Sequence, residues 1–150
     1  MSKENQSREI RSEVTSDGQL KLSIKSVEMP KPKDHEVLLK VEASPINPSD
    51  LGLLISFAAD LSSITSEGSG DDKVTTMNIL PALHKTMAAR FDKSMKVGNE
   101  GGAVVVDAGE AGKGLIGKTV GVAGGAMYSE YRCVPVDSCL VMNEGTTPKE

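Results

Sequence analysis

The feature that most constrains the fold is a regular alternation of apolar and polar residues in two short segments. Every second residue is apolar in residues 20–24 and again in residues 37–43, where the apolar positions are Leu20, Leu22, Ile24, Val37, Leu39, Val41 and Ala43. A period of two places successive side chains on opposite faces of a strand, so each segment is predicted to be a β-strand with one buried face. Ser16-Asp17-Gly18 predicts a hairpin turn before the first of them.

Three further segments in the last third of the chain have β-strand character. Residues 103–106 form a continuous apolar run suited to a buried strand, and residues 118–123 and 126–134 predict two more strands. Between them, residues 109–117 are rich in turn-forming glycine. About five to eight short strands with two helical interruptions predict a mainly β chain with short helices, folded as a partly open β-barrel or a sandwich.

Length and composition predict one globular domain. The chain has 150 residues, a formal net charge of -4 and no tryptophan. Mild acidity and few aromatic residues argue against a nucleic-acid partner. No apolar run approaches the roughly eighteen residues of a membrane span, and the polar N-terminus lacks the apolar core of an export signal. We therefore expect a cytoplasmic protein with no membrane partner, in which Cys133 and Cys139 are reduced thiols.

The polar segment Ser44–Asp50 is a turn in which two prolines restrict the backbone. Pro45 and Pro48 each fix a φ angle and favour an extended residue before them, which fixes the direction of Asn47. An asparagine held in this way can donate and accept hydrogen bonds. The residues alone are compatible with two roles for Asn47: it stabilises the turn, or it contacts a ligand. Ser49 or Asp50 is predicted to cap the helix that follows, and Asp50 is expected to be a cap rather than a catalytic acid.

Residues 56–96 form the least regular part of the sequence. Residues 62–73 have the small and charged composition of a mobile loop, and a helical stretch is predicted to begin at Pro81. The predicted organisation is a flexible tail over residues 1–7 and one domain over residues 8–150, with a long helical or loop insertion at about 56–96. The sequence is compatible with two roles for this insertion: a lid over a cleft, or a contact surface for another subunit.

Five sequence segments occur in the order in which one enzyme family carries them. After the strand at residues 36–43 come Asn-Pro-Ser-Asp at 47–50, Gly-Asn-Glu-Gly-Gly at 98–102, Gly-Lys-Thr-Val at 117–120 and Met-Tyr-Ser-Glu-Tyr at 127–131. In this order the chain resembles the N-terminal, GroES-like domain of the medium-chain dehydrogenase/reductase family. The resemblance covers roughly residues 8 to 145, except for an atypical middle, and is greatest to the zinc-free quinone-oxidoreductase and enoyl-reductase branches. It implies a GroES-like, partly open β-barrel.

The resemblance implies roles for Asn47 and Tyr128. In zinc-free relatives the asparagine of this turn lies beside the nicotinamide end of NADP(H), so Asn47 is expected to orient the nicotinamide ring or its ribose. Tyr128 is a candidate for lining the substrate cleft, with packing in the core as the alternative. Enoyl-reductase relatives carry a proton-donating tyrosine after the turn, where this chain has only Phe57, which has no hydroxyl. No catalytic residue is therefore assigned.

The resemblance also argues against bound zinc. Zinc-dependent members of the family have a cysteine where Asn47 stands and a histidine where Asn99 stands, and asparagine is a poor zinc ligand. Their structural zinc needs four cysteines, whereas this chain has two. We expect NADP(H) or NAD(H) as the cofactor of the full-length enzyme and no metal.

The glycine-rich segment of residues 109–117 lacks the strand–turn–helix context of a dinucleotide-binding site, so the Rossmann domain of the family is expected to be absent from this chain. The sequence predicts the substrate-domain portion of a zinc-independent NADP(H)-dependent oxidoreductase that acts on a carbonyl, quinone or activated double bond. The isolated chain is expected to be inactive. Its expected partners are a small-molecule substrate and the missing Rossmann domain. The sequence is also compatible with a homo-oligomer. The alternative is a stand-alone GroES-like interaction module without catalytic activity.

Overall fold

The computed structural model describes residues 5–150, which form two compact units. The first unit contains residues 5–8, Ser26–Pro45 and Gly98–Glu150, and the second contains Glu9–Lys25 and Ile46–Val97. The strands among the described residues are β1 (Gln6–Val14), β2 (Gln19–Glu28), β3 (Glu36–Ala43), β4 (Ala59–Glu67), β5 (Val74–Ile79), β6 (Lys93–Lys96), β7 (Glu100–Ala108), β8 (Thr119–Ala123), β9 (Tyr131–Pro135) and β10 (Leu140–Val141). The α-helix α1 spans Pro48–Leu54, and short 3-10 helices cover Gly70–Asp72, Pro81–Arg90, Glu110–Leu115 and Val136–Ser138.

The sheet of the first unit has the strand order β10-β8-β7-β3-β9, with every neighbouring pair antiparallel. The alternation in β3 and the apolar run in β7 supply its core, because Val37, Leu39, Ala103 and Val105 are buried on one face. On the outer face, Gly102 pairs with Gly121 of β8, and Pro148 lies against Gly102, where an added Cβ would be 2.0 Å from the Pro148 carbonyl oxygen. This face borders the cavity described below.

The sheet of the second unit has the order β4-β5-β2-β1-β6. Its core is a separate cluster made of Val14, Leu20, Ala58, Met77, Ile79 and Met87. The neighbouring strands within each sheet are antiparallel, and 47% of the residues are in strands. The predicted fold class, mainly β with short helices in a partly open barrel, is confirmed.

The region at residues 56–96 differs from its prediction as a helical or loop insertion. It contains β4, β5 and β6, and Pro81–Arg90 is a 3-10 helix rather than an α-helix. β4 is an edge strand whose residues are mostly exposed, so it has no apolar alternation that would identify it. β5 does carry the period-two signal, because Met77 and Ile79 are buried on one face.

Two other predicted boundaries also change. Residues 1–4 of the predicted tail lie outside the described residues, but β1 already begins at Gln6, and Ser7 Oγ accepts the Tyr131 N–H at 3.2 Å. The strand predicted over residues 126–134 begins only at Tyr131. Tyr128 therefore lies in the connection before β9.

The glycine-rich connection between β7 and β8 has no dinucleotide-binding context. Gly112, Gly114 and Gly117 have the Gly-x-Gly-x-x-Gly spacing, but they lie in and just after the 3-10 helix Glu110–Leu115. β7 and β8 are antiparallel neighbours, and the helix between them is too short to present an α-helical N-terminus to a pyrophosphate. Across residues 5–150, no helix is both long and apolar enough to cross a membrane.

Candidate functional site

Two consecutive hydrogen bonds hold Ser44 and Pro45 at the end of β3. Ser44 Oγ donates to the carbonyl oxygen of Met127 at 3.0 Å. The Tyr128 hydroxyl donates to the carbonyl oxygen of Pro45 at 2.9 Å. Two neighbouring residues after β3 are thus bonded to two neighbouring residues before β9, which fixes both connections in the first unit.

Two glycines make room for this arrangement. Gly98 has φ +94°, and a Cβ there would lie 2.5 Å from the Tyr128 nitrogen and 2.6 Å from its ring. A Cβ on Gly101 would lie 2.6 Å from Ser44 Oγ. The Met127 N–H also donates to the Gly98 carbonyl at 3.1 Å. The structure therefore brings Ser44 and Pro45 together with Gly98 and Gly101.

A cavity of about 810 Å³ opens on the outer face of the sheet in the first unit. Ser44, Glu100 and Thr119 contribute polar groups to its lining, which also includes Gly102 and Gly121. The remaining lining residues are Ala43, Pro45, Gly101, Val122, Ala123, Asp137, Ser138, Leu140, Met142, Thr147, Pro148, Lys149 and Glu150. A mostly apolar cavity of this size with a few polar groups suits a small organic molecule.

In the second unit, Asn47 is the N-cap residue of α1. Its backbone is extended, with φ -92° and ψ 159°, as the flanking prolines predict. The Asn47 N–H donates to Asp50 Oδ2 at 2.8 Å, and Asp50 is only 2% exposed. Asp50 does not precede the helix as predicted: it is the third residue of α1, and its carboxylate completes a capping box by accepting the N–H of the N-cap residue Asn47.

The other end of α1 is held by two residues that the sequence did not identify. Ser12 Oγ donates to the Leu54 carbonyl at 2.9 Å, and Arg90 Nη2 contacts both the Leu53 carbonyl and Ser12 Oγ at 3.0 Å. Burial lowers the pKa of Arg90 from its ordinary value. Cationic donors at a helix C-terminus satisfy its last carbonyl groups, so both ends of the helix that carries Asn47 are fixed within the second unit.

Three other residues named from the sequence are Asn99, Phe57 and Tyr128. The Asn99 carbonyl accepts the N–H groups of Gly124 and Gly125 at 2.8 and 3.2 Å, which joins the start of β7 to the end of β8. Phe57 is 73% exposed in the second unit. The Tyr128 side chain is half-buried, with its ring against Gly98 and its hydroxyl on Pro45.

Neither cysteines nor carboxylates gather into a metal centre in the part of the chain that the structure describes. Within residues 5–150, no group of three or more His, Cys, Asp or Glu side chains is placed to hold a metal ion. Cys133 and Cys139 are free thiols. Burial raises the pKa of both, and the charges of Glu36 and Asp107 raise that of Cys133 further. Raised pKa values disfavour the thiolate form that binds metals.

Comparison with known proteins gives similarity at the level of structure. No protein-family model matches the sequence. No curated protein matches it either. Among solved structures, the quinone oxidoreductase from Coxiella burnetii aligns over 96% of this chain and 39% of its own, with a TM-score of 0.58 and 15% identity. The CurK enoyl reductase aligns over 97% and 38%, with a TM-score of 0.59 and 16% identity.

A third similar structure is a complex with two ligands. The Etr1p complex with NADP and crotonyl-CoA aligns over 91% of this chain and 34% of its own, with a TM-score of 0.57 and 16% identity. These alignments show that the chain has the fold found in these quinone and enoyl reductases, which confirms the predicted resemblance at the level of the fold. The chain spans less than two-fifths of the length of these three proteins.

Proposed function

We propose that this chain is the N-terminal substrate-domain portion of a zinc-independent, NADP(H)-dependent oxidoreductase acting on a carbonyl, a quinone or an activated double bond. The observation that carries the proposal is the alignment of nearly the whole chain with structures named as quinone and enoyl reductases. The cavity of the first unit supports it, because its volume and mixed lining suit a small organic substrate. The remainder of such an enzyme would bind the adenine and pyrophosphate of the cofactor.

Asn47 is the residue that would contact the nicotinamide end of NADP(H) or NAD(H). When bound, this cofactor supplies a hydride to the substrate. The carboxamide of Asn47 offers a donor and an acceptor, which are the groups that a nicotinamide amide or a ribose hydroxyl requires. The extended backbone at Asn47 and the helix anchored behind it supply the rigidity that such a contact needs. The residues present therefore fit the cofactor.

Catalytic zinc does not fit the same positions. Asn47 and Asn99 occupy the places where zinc-dependent relatives have a cysteine and a histidine, and carboxamides are poor zinc ligands. Elemental analysis of protein purified without added metal should show less than stoichiometric zinc. About one zinc per chain, retained after dialysis against a chelator, would contradict zinc independence.

The experiment that tests the function compares the 150-residue chain with the full-length protein. The full-length protein should oxidise NADPH in the presence of a quinone or an enoyl substrate, followed by the loss of reduced-nicotinamide absorbance. The isolated chain should show no saturable heat in a calorimetric titration with sub-millimolar NADPH. Tight binding to the isolated chain would place the cofactor site elsewhere, and an inactive full-length protein would refute the function.

A stand-alone GroES-like interaction module that assembles with copies of itself is the second candidate. The observation that favours it is a set of exposed apolar side chains in the second unit, where Phe57, Leu61 and Ile64 are 73%, 56% and 51% exposed. Exposed apolar residues in one region are common at protein–protein contacts. Sedimentation over a range of concentrations separates the candidates: an interaction module self-associates, and Leu61→Ser with Ile64→Ser would abolish the association.

A further inference from the structure

The Tyr128 side chain is held in one orientation by contacts on two sides. Its ring lies against Gly98, where an added Cβ would approach the ring to 2.6 Å. Its hydroxyl donates to the Pro45 carbonyl at 2.9 Å. A phenol hydroxyl has one proton. While the Tyr128 hydroxyl donates that proton to the Pro45 carbonyl, it cannot donate to a second acceptor.

A second hydrogen bond holds the residue just before Pro45. Ser44 Oγ donates to the Met127 carbonyl at 3.0 Å, one residue before both partners of the Tyr128 bond. Pro45 has no N–H, so its carbonyl is the backbone group through which a hydrogen bond can fix it. Asn47 follows Pro45 by two residues in the chain, and Pro48, the first residue of the helix, restricts the backbone of Asn47 itself. The bond from Tyr128 thus fixes the start of the short connection that leads to Asn47.

We propose that Tyr128 is a positioning residue that fixes the Pro45 carbonyl and, through the chain, the approach to Asn47, and that it does not donate a proton to the substrate. This inference rests on the proposed cofactor contact of Asn47. It replaces the expectation that Tyr128 contacts the substrate in the cleft. It also explains why glycine occupies position 98, because only a residue without a Cβ leaves space for the Tyr128 ring.

The first experiment tests the bond itself, in the 150-residue chain and without any cofactor. Tyr128→Phe keeps the ring against Gly98 and removes only the hydroxyl. Loss of this donor should move the carbonyl carbon NMR signal of Pro45 upfield and broaden the backbone signals of Ile46 and Asn47. Tyr131→Phe is the matched control, since the chain has two tyrosines, and it should leave these signals in place. A Pro45 signal that does not move in Tyr128→Phe would overturn the inference.

The second experiment separates positioning from proton donation in the full-length enzyme. Tyr128→Phe should raise KM for NADPH by about two- to tenfold, the range expected for one hydrogen bond, while the shape of the kcat pH profile stays unchanged. Loss of one limb of that profile would assign proton donation to Tyr128 and overturn the inference. Absence of nicotinamide-dependent activity in the unchanged enzyme would refute the proposed function. The NMR signal of Pro45 does not depend on that function, so the two failures can be told apart.

Discussion

The hydroxyl of Tyr128 donates a hydrogen bond of 2.9 Å to the carbonyl oxygen of Pro45, which lies 83 residues earlier in the chain. The bond from Ser44 to Met127 spans the same distance in sequence. The turn after β3 is therefore fixed by long-range contacts as well as by its own prolines. Changes at the distant end of these contacts should alter the turn.

Gly98→Ala should destabilise the chain more than an alanine at an ordinary glycine turn. Alanine must adopt φ +94° and place its Cβ 2.5 Å from the Tyr128 backbone, so we expect a loss of about 2 to 4 kcal/mol in the free energy of unfolding. Gly125→Ala is the matched control, because Gly125 has φ +69° but nothing within 4 Å of the added Cβ. It should cost only about 1 to 2 kcal/mol in urea unfolding. Equal losses would show that the contact with Tyr128 is unimportant.

Asn47→Ser should separate cofactor use from stability, whereas Asp50→Ala should change both. Asp50→Ala leaves the Asn47 N–H without its buried acceptor, so it should lower stability by about 1 to 3 kcal/mol and, because this bond holds Asn47, also raise KM for NADPH. Asn47→Ser keeps a residue suited to the N-cap but removes the carboxamide. It should preserve Tm and raise KM for NADPH. If Asn47→Ser leaves the kinetics unchanged, Asn47 is only a capping residue.

Arg90 should contribute to stability through the C-terminal end of α1. Arg90→Met removes the donor to the Leu53 carbonyl and should lower the free energy of unfolding by about 1 to 3 kcal/mol. Lys93→Met is the control: Lys93 is exposed and donates to the Ala89 carbonyl at 2.8 Å, so its loss should stay within about 0.5 kcal/mol. Similar losses in both variants, measured by urea unfolding, would remove the special role of Arg90.

The sequence predicted the elements whose residues alternate or form continuous apolar runs. β3 has the predicted bounds because its alternating side chains face a buried core, and Asn47 is extended because prolines flank it. β4 was missed because its exposed residues carry no apolar period. The bonds from Tyr128 to Pro45 and from Arg90 to Leu53 could not be predicted, since nothing local to either residue specifies a partner so far away in sequence.

Stability should fall in acid through the pair formed by Glu130 and Arg8. Arg8 Nε donates to Glu130 Oε1 at 3.0 Å, and the Arg8 N–H donates to Glu130 Oε2 at 2.9 Å. The hydrogen bond from the Arg8 side chain is the main cause that lowers the pKa of Glu130 below its ordinary value of 4.5. A carboxyl group with a lowered pKa in the folded state stabilises the fold above its unfolded pKa.

This stabilisation should be lost as the pH falls below 4.5 and through the folded pKa of Glu130. Glu130→Gln cannot ionise, so its free energy of unfolding should lie below that of the unchanged chain at neutral pH and approach it in acid. Urea unfolding at a series of pH values measures the difference, and Glu110→Gln is the control, because Glu110 pairs with Lys113 on an exposed surface. Since the Arg8–Glu130 pair is itself partly exposed, added salt should reduce the difference at neutral pH. A difference that does not change with pH would mean that Glu130 acts through packing and not through its charge.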